Sequence, residues 1–533
     1  MGQNFGTDRR AFLRAVGVTG GAGTMLATMG ALGLAPTARA AEVPAYRAPS
    51  PGDFSLTGRA AASVVVVGGG IAGLTTAYEL GKAGYDVTVL EARERTGGRN
   101  FTVRGGDTTT DTLGQRQTAR FSRGQYLNAG PARIAQWMLT MDYCRELGVP
   151  VEVFTNANAD AYVFNAAAGM TAPVRHRTAK ADVYGYVSEL LAKATDQGAL
   201  DAALTADDRE RLLTFLRGFG SIGGRTDGWR YTGGGRRGYA EDPGAAGTPG
   251  TVLGDVPDVS EVFASGVGRY LSFELGYDQA MLMFQPVGGM DRIPEALARA
   301  VGGRRIRTGA QVTDITGSAD GVSVTYRSGG RTRRVTADYC VAALPPNILA
   351  RTGHNLGAAV QTALEACVPS SAGKIGLEYR SRWWETGHGI YGGITETDLD
   401  LAHIWYPSHG FLGERGVVVG YYNTGAAADA YGALTPRERE ARAVAHGVRI
   451  HGDVYRTELA SSFSHHWRQT PHVEAAWHSL RGGPDAPVFA ALNEPAGRVY
   501  FAGDHLSHAI AWQHGAFASA RKVVTQLHAR VLA

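Results

Sequence analysis

The hydrophobic pattern first becomes regular at Ser63-Val64-Val65-Val66-Val67, an unbroken β-branched run. A strand apolar on both faces is the kind that lies buried in a parallel sheet. From Ile71 through Leu80 toward Ala83 the apolar positions recur at helical spacing, and Asp86-Val87-Thr88-Val89-Leu90 reads as a second strand ending at Glu91. Together these predict one βαβ unit. From about Leu147 to Met281 the pattern is helical, clearest over 189–194 and 207–219, with a Gly-rich interruption over 220–251. A stretch that long without periodicity is either a functional lid or disordered, and composition does not choose between them. Residues 311–345 alternate, as in Val322-Ser323-Val324-Thr325-Tyr326, and predict a β-meander ending before Pro345-Pro346. More strands are expected over 374–422, a helix over 435–450, a strand over 499–502 and a long helix from about Trp512 to Val531.

With 533 residues the chain is too long for one simple core, so two or three lobes are expected. Its 44% hydrophobic and 19% charged residues exclude wholesale disorder. The formal charge of +4 lies mostly at the N-terminus, where Arg9, Arg10, Arg14 and Arg39 against Asp8 supply +3 of it. The remainder gives no electrostatic reason to expect nucleic acid or an anionic membrane as partner. Asp8-Arg9-Arg10-Ala11-Phe12-Leu13-Arg14 resembles a twin-arginine export signature, followed by a moderately apolar Gly/Ala-rich stretch and by Ala38-Arg39-Ala40, a small-x-small cleavage pattern. Residues 1–40 are therefore expected to be a signal peptide of a secreted protein with no stable membrane insertion. Cys144, Cys340 and Cys367 are far apart and odd in number, so neither a disulfide framework nor a metal site is expected.

Gly68-Gly69-Gly70-Ile71-Ala72-Gly73 satisfies G-x-G-x-x-G between a strand and a helix, where backbone amides and the helix N-terminus can face a pyrophosphate. Glu91, 18 residues after Gly73 at the end of the next strand, can accept the ribose hydroxyls and would repel a 2′-phosphate. This unit alone leaves NAD and FAD open.

The residues after Glu91 decide between them. Glu91-Ala92-Arg93-Glu94-Arg95-Thr96-Gly97-Gly98-Arg99 resembles the E-A-R-x-R-x-G-G-R signature of the flavin amine oxidase superfamily. Val499-Tyr500-Phe501-Ala502-Gly503-Asp504 resembles the family strand that brings an acidic residue to the flavin ribityl chain. The helix after it would aim its positive end at the flavin edge that gains charge on reduction. Further stretches resemble the L-amino acid oxidase branch. Gly130-Pro131-Ala132-Arg133 is similar to a segment whose arginine holds the substrate carboxylate, a task suited to a planar, permanently charged fork. Gly289-Met290-Asp291 resembles a loop near the flavin, and Lys374-Ile375-Gly376-Leu377 the segment whose lysine holds a water against it. Ile404-Trp405-Tyr406-Pro407 resembles a strand bringing a tyrosine to the carboxylate, with Tyr406 the candidate and Trp405 beside it.

The resemblance implies an α/β fold: an FAD-binding Rossmann-like domain of glutathione-reductase type, a mixed-sheet substrate domain and a helical subdomain. The first is assigned to 60–106, 282–346 and 490–533, the second to 107–150 and 347–489, and the helical one, with its Gly-rich loop, to 151–281. Lys374, Arg133, Tyr406 and Trp512 are the expected catalytic residues. Expected at the cofactor are Gly68, Gly70, Ile71, Ala72, Gly73, Glu91, Ala92, Arg93, Gly98, Arg99, Ala132, Arg133, Val312, Trp467, Gly503, Asp504, Trp512 and Gln513. His505-Leu506-Ser507-His508 stands where covalent family members place a flavin-linked cysteine, so noncovalent FAD is implied. The implied reaction converts an L-amino acid and oxygen to 2-oxo acid, ammonia and hydrogen peroxide, with a homodimer compatible with the family. An amine or polyamine oxidase, an amino acid 2-monooxygenase and a non-catalytic FAD-binding protein are the alternatives.

Overall fold

The β-branched run that opens the pattern, Ser63–Val67, is the middle strand of a five-stranded parallel sheet. Its strand order is Ile306–Arg307, Asp86–Leu90, Ser63–Val67, Tyr339–Ala342 and Val499–Phe501. Alternate side chains explain why the strand is apolar throughout. Val64 and Val66 pack against the helices Ile71–Lys82, Arg292–Val301 and Gln513–Leu532, while Val65 and Val67 face Ile315, Val324 and Tyr326. Those three belong to the expected meander, Gln311–Gly317, Val322–Ser328 and Arg331–Ala337, which covers the other face. This computed structural model describes residues 53–483 and 486–533; the segment 1–40, expected to be a signal peptide, lies outside them.

A second, seven-stranded sheet runs in the order Leu459–His466, Ala372–Tyr379, Gly416–Thr424, His403–Trp405, Ile394–Thr397, Tyr162–Phe164 and Val174–Arg175. Ala372–Tyr379 is buried at every position and antiparallel to both neighbours, with Lys374 opposite Tyr422 on one side and His465 on the other. The helix expected over 435–450 is Pro436–His451, started by a reciprocal cap between Thr435 and Glu438.

The helical region begins later than its pattern implies. Val151–Thr155 pairs with Leu282–Pro286, and Tyr162–Phe164 and Val174–Arg175 extend the large sheet; the first long helix is His176–Asp196. These strands are two to five residues long, too short for a period of two to show. The Gly-rich stretch 220–251 holds two single-turn 3-10 helices and a short hairpin between Tyr239–Glu241 and Thr251–Val252. Buried Arg237 ties it down, donating to Asp182 at 2.7 Å and to the carbonyls of Leu253 and Gly254 at 2.9 and 2.7 Å. No helix among the described residues is long and apolar enough to cross a membrane.

Candidate functional site

A cavity of about 640 Å³ opens at the carboxyl ends of the parallel strands, where Val67, Leu90, Ala343 and Ala502 line it, and reaches Lys374 and Tyr422 on the large sheet. That edge is where doubly wound sheets bind ligands, because their strand-to-helix turns leave amides unpaired there. Gly68 has φ +107°, and a Cβ there would stand 2.6 Å from the Ala343 carbonyl. The helix Ile71–Lys82 starts at Gly70 with no side-chain cap, so the amides at its N-terminus remain available where Gly70, Ile71 and Ala72 line the cavity. Gly73 sits behind them: a Cβ would meet the Gly68 carbonyl at 1.9 Å, so its role is close packing of helix on turn and not contact with a ligand. Glu91 is buried and already oriented, Oε2 accepting from the Gly69 amide at 2.8 Å and Oε1 from the Arg93 amide at 3.0 Å.

At the far end Asp504 is buried, and burial alone would raise its pKa. The paired Arg99 guanidinium, His505 and the Ala511 amide, which donates at 3.0 Å, hold it below the usual carboxylate range. Trp512 precedes the helix Gln513–Leu532 and donates its indole N–H to Asp278 at 2.9 Å; Gln513 bonds Asn100. Trp467 donates to the Ala129 carbonyl at 2.9 Å. Ala92, Arg93, Gly98, Arg99, Val312 and Gly503 also line the cavity. A helix start free to take phosphate, an oriented carboxylate at the neighbouring strand end and a second buried acid beyond fit a flavin dinucleotide, with Glu91 at its ribose and Asp504 at its ribityl end.

The remaining candidates gather where this cavity meets the large sheet. Lys374 is buried, with Nζ donating to the carbonyls of Gly130 at 2.5 Å and Asn128 at 3.2 Å. It lies 5.0 Å from the Trp405 ring centre and 4.8 Å from that of Tyr422. Burial, and next the Arg133 charge, push its pKa down to about 7. Arg133 stands over Trp405 at 4.7 Å, with Phe273 and Trp512 at 5.7 and 5.9 Å. Among the described residues it has no carboxylate partner: Nη2 donates to the Gln279 amide oxygen at 3.2 Å, and its buried Nε bonds none of them. Burial lowers its pKa, as expected of a cation held away from water.

Besides Gly73, the structure corrects further expectations. Tyr406 does not reach Arg133. It is 1% exposed in the core behind the sheet, its hydroxyl 2.8 Å from both the Thr395 hydroxyl and His451 Nε2. Neighbouring strand residues point to opposite faces, and it is Trp405 that faces Arg133. Ala132 packs into the core beneath the parallel sheet, and neither it nor Arg133, also expected at the cofactor, lines the cavity. The tyrosine that does is Tyr422, opposite Lys374 in register, with its ring 5.1 Å from Trp405. Sequence reading missed it because Tyr421-Tyr422 offers two choices of face. The signal that could have found it is the antiparallel pairing of the lysine strand with Gly416–Thr424.

Among relatives, the chain is 25% identical over 474 residues to the putative L-amino-acid oxidase YobN of Bacillus subtilis (strain 168), covering 87% of this chain and 94% of that protein. It is 27% identical over 463 residues to the L-amino-acid oxidase of Vipera ammodytes ammodytes, covering 84% and 89%. Among solved structures, cyclohexylamine oxidase from Brevibacterium oxydans IH-35A superposes with a TM-score of 0.60 at 18% identity, over 89% of this chain and 100% of that one. Wild-type putrescine oxidase bound to putrescine gives 0.59 at 19%, with the same coverage. These likenesses establish the amine oxidase fold. The sequence profile of the flavin containing amine oxidoreductases spans residues 71–528, beginning directly after the glycine turn, and the chain belongs to this flavin-dependent family.

Proposed function

We propose that this chain is an L-amino acid oxidase, converting an L-amino acid, water and oxygen to the 2-oxo acid, ammonia and hydrogen peroxide. The observation that carries this reading is Arg133, a half-buried guanidinium walled by aromatic rings, with its Nε buried and unbonded and with no ion-paired carboxylate among the described residues. A cation with a buried, unbonded donor is costly, and a substrate α-carboxylate is the anion that would complete it. Tyr422, on the same face, is the second group placed to hold that carboxylate. FAD, when bound, takes up the two electrons removed from the α-carbon and hands them to oxygen. Trp405 and Trp512 flank the carboxylate position and exclude water from it. Lys374, titrating at about 7, is placed to hold a water and exchange a proton with it on the reacting side. The relatives named L-amino-acid oxidase support the same reading, and the twin-arginine segment supports export. The test is peroxide release by flavin-loaded protein against L-amino acids, their D-enantiomers and simple amines. Turnover of L-amino acids alone is expected; turnover of amines alone would transfer the chain to the amine oxidases.

A further inference from the structure

A second cavity, of about 340 Å³, lies on the helical side of Arg133, with Phe273 belonging both to its wall and to the rings around the guanidinium. Most of its charges are already matched. Lys180 pairs with Glu274 at 2.8 Å and Arg177 with Asp160 at 3.0 Å. Arg236 donates to the carbonyls of Gly218 and Phe219 at 3.0 and 2.8 Å, and burial pushes the His176 imidazole down to about 4, leaving it neutral. Glu396 is the exception. It is 5% exposed and accepts no hydrogen bond among the described residues, and its buried Oε2 has no partner.

Strand geometry directs that carboxylate toward substrate. In Ile394–Thr397 the alternate residue Thr395 turns to Tyr406 in the core, so Ile394 and Glu396 share the opposite face. Ile394 lies directly opposite Trp405, the residue stacked on Arg133. Glu396 and Arg133 therefore stand near enough to act on one another electrostatically, yet they do not pair. Glu396 lines the space walled by Tyr184, Phe219, Tyr270 and Phe273, and half-buried Arg133 adjoins it through Phe273; both charges are incompletely bonded.

Resting on the carboxylate role proposed above for Arg133, we infer that Glu396 is the specificity-determining residue for the side chain and that the substrate is a basic L-amino acid. The α-carboxylate goes to Arg133, a methylene stem lies along the aromatic wall and the terminal ammonium or guanidinium reaches Glu396. Aromatic faces favour both parts of such a side chain, through apolar contact and cation–π attraction. Burial, and next the Glu274 charge, raise the Glu396 pKa to about 7, outweighing Arg133 and Arg269, which lower it without pairing with it.

The test has two independent arms on the flavin-loaded enzyme. In the first, kcat/KM is measured for L-lysine, L-ornithine and L-arginine beside L-leucine, L-phenylalanine and L-glutamine, in the wild type and in Glu396→Gln. A preference of at least about 10-fold for the basic substrates is expected, and its reduction by about 10–100-fold in the variant, as loss of a charge-assisted contact implies. In the second, calorimetry compares 6-aminohexanoate with hexanoate on the wild type, so it does not depend on the variant folding. Tighter binding of the aminated acid supports the assignment. Equal or tighter binding of hexanoate, or preference for a neutral side chain, overturns Glu396 while leaving the carboxylate site intact. Absence of turnover with every L-amino acid, together with no binding of either acid, instead fails the oxidase reading itself.

Discussion

Replacing Arg133 with methionine separates a binding residue from a structural one, because the two roles predict opposite changes. If the guanidinium grips a carboxylate with two hydrogen bonds, each charge-assisted bond contributes about 1.5–3 kcal/mol. Losing both would lower kcat/KM by about 10²–10⁴-fold at 1.36 kcal/mol per factor of ten. Tyr422 remains on the same face to hold one carboxylate oxygen, so the lower part of that range, about 10²–10³-fold, is expected. Stability should move the other way. Arg133 makes one hydrogen bond, to Gln279, and leaves Nε unbonded, so methionine relieves a desolvated charge and forfeits one bond and the stacking on Trp405. Those opposing effects leave the folding free energy unchanged or raised by about 1 kcal/mol. Steady-state peroxide kinetics on the preferred L-amino acid, beside a denaturant melt of the same preparation, measure both. Unchanged kcat/KM, or activity lost only in step with stability, would refute the carboxylate assignment.

Four other substitutions separate the site from its scaffold. Tyr422→Phe should raise KM for the amino acid about 10-fold with little change in melting. Tyr406→Phe should leave KM alone and cost about 1–3 kcal/mol of stability, because Thr395 and His451 lose a buried partner; steady-state kinetics and denaturant melts check both. Gly130→Ala should cost about 1–3 kcal/mol and weaken flavin retention, read by flavin fluorescence after gel filtration, since a Cβ there would meet the Arg99 carbonyl at 1.9 Å. Lys374→Met should flatten the pH dependence of stability. The lysine pKa falls from 10.5 when unfolded to about 7 when folded, so the unfolded chain binds the extra proton and wild-type stability rises with pH across that window. Melts from pH 6 to pH 10 measure the slope, and an equal slope in the variant would refute it.

The nucleotide-binding half was legible because its signals are local. A β-branched run, a glycine turn, a helical period and a strand-end Glu91 all fall within 30 residues, and the parallel sheet uses them as read. The meander and the helix Gln513–Leu532 were legible for the same reason. The substrate side was harder, because its geometry is set by pairings between strands distant in sequence. Tyr422 enters through its register with Lys374, and Glu396 through its register with His403 and the place of Ile394 opposite Trp405. Nothing near Tyr406 in sequence says that it, and not Trp405, turns into the core; a shift of one residue reverses every face. Arg133 was reached only through resemblance, and its half-buried state with an unbonded Nε needed the fold.

The proximity of Lys374 and Arg133 has its own kinetic consequence. Lys374 is buried and Arg133 half-buried, and the Arg133 charge is among the causes that hold the lysine near neutral pH. A carboxylate bound at Arg133 would cancel much of that repulsion, so occupancy must raise the Lys374 pKa, and by linkage protonation of Lys374 must favour carboxylate binding. The pH profile of kcat/KM reports the free enzyme and that of kcat the complex. The ionisation carried by Lys374 should therefore fall near 7 in the first and higher in the second. Subtracting the profiles of Lys374→Met removes the ionisation of the substrate amine, which both proteins share. An ionisation at the same pH in both profiles, or one that survives in the variant, would mean that Lys374 and the carboxylate position are not coupled, and the two residues could not then serve a single bound substrate as placed here.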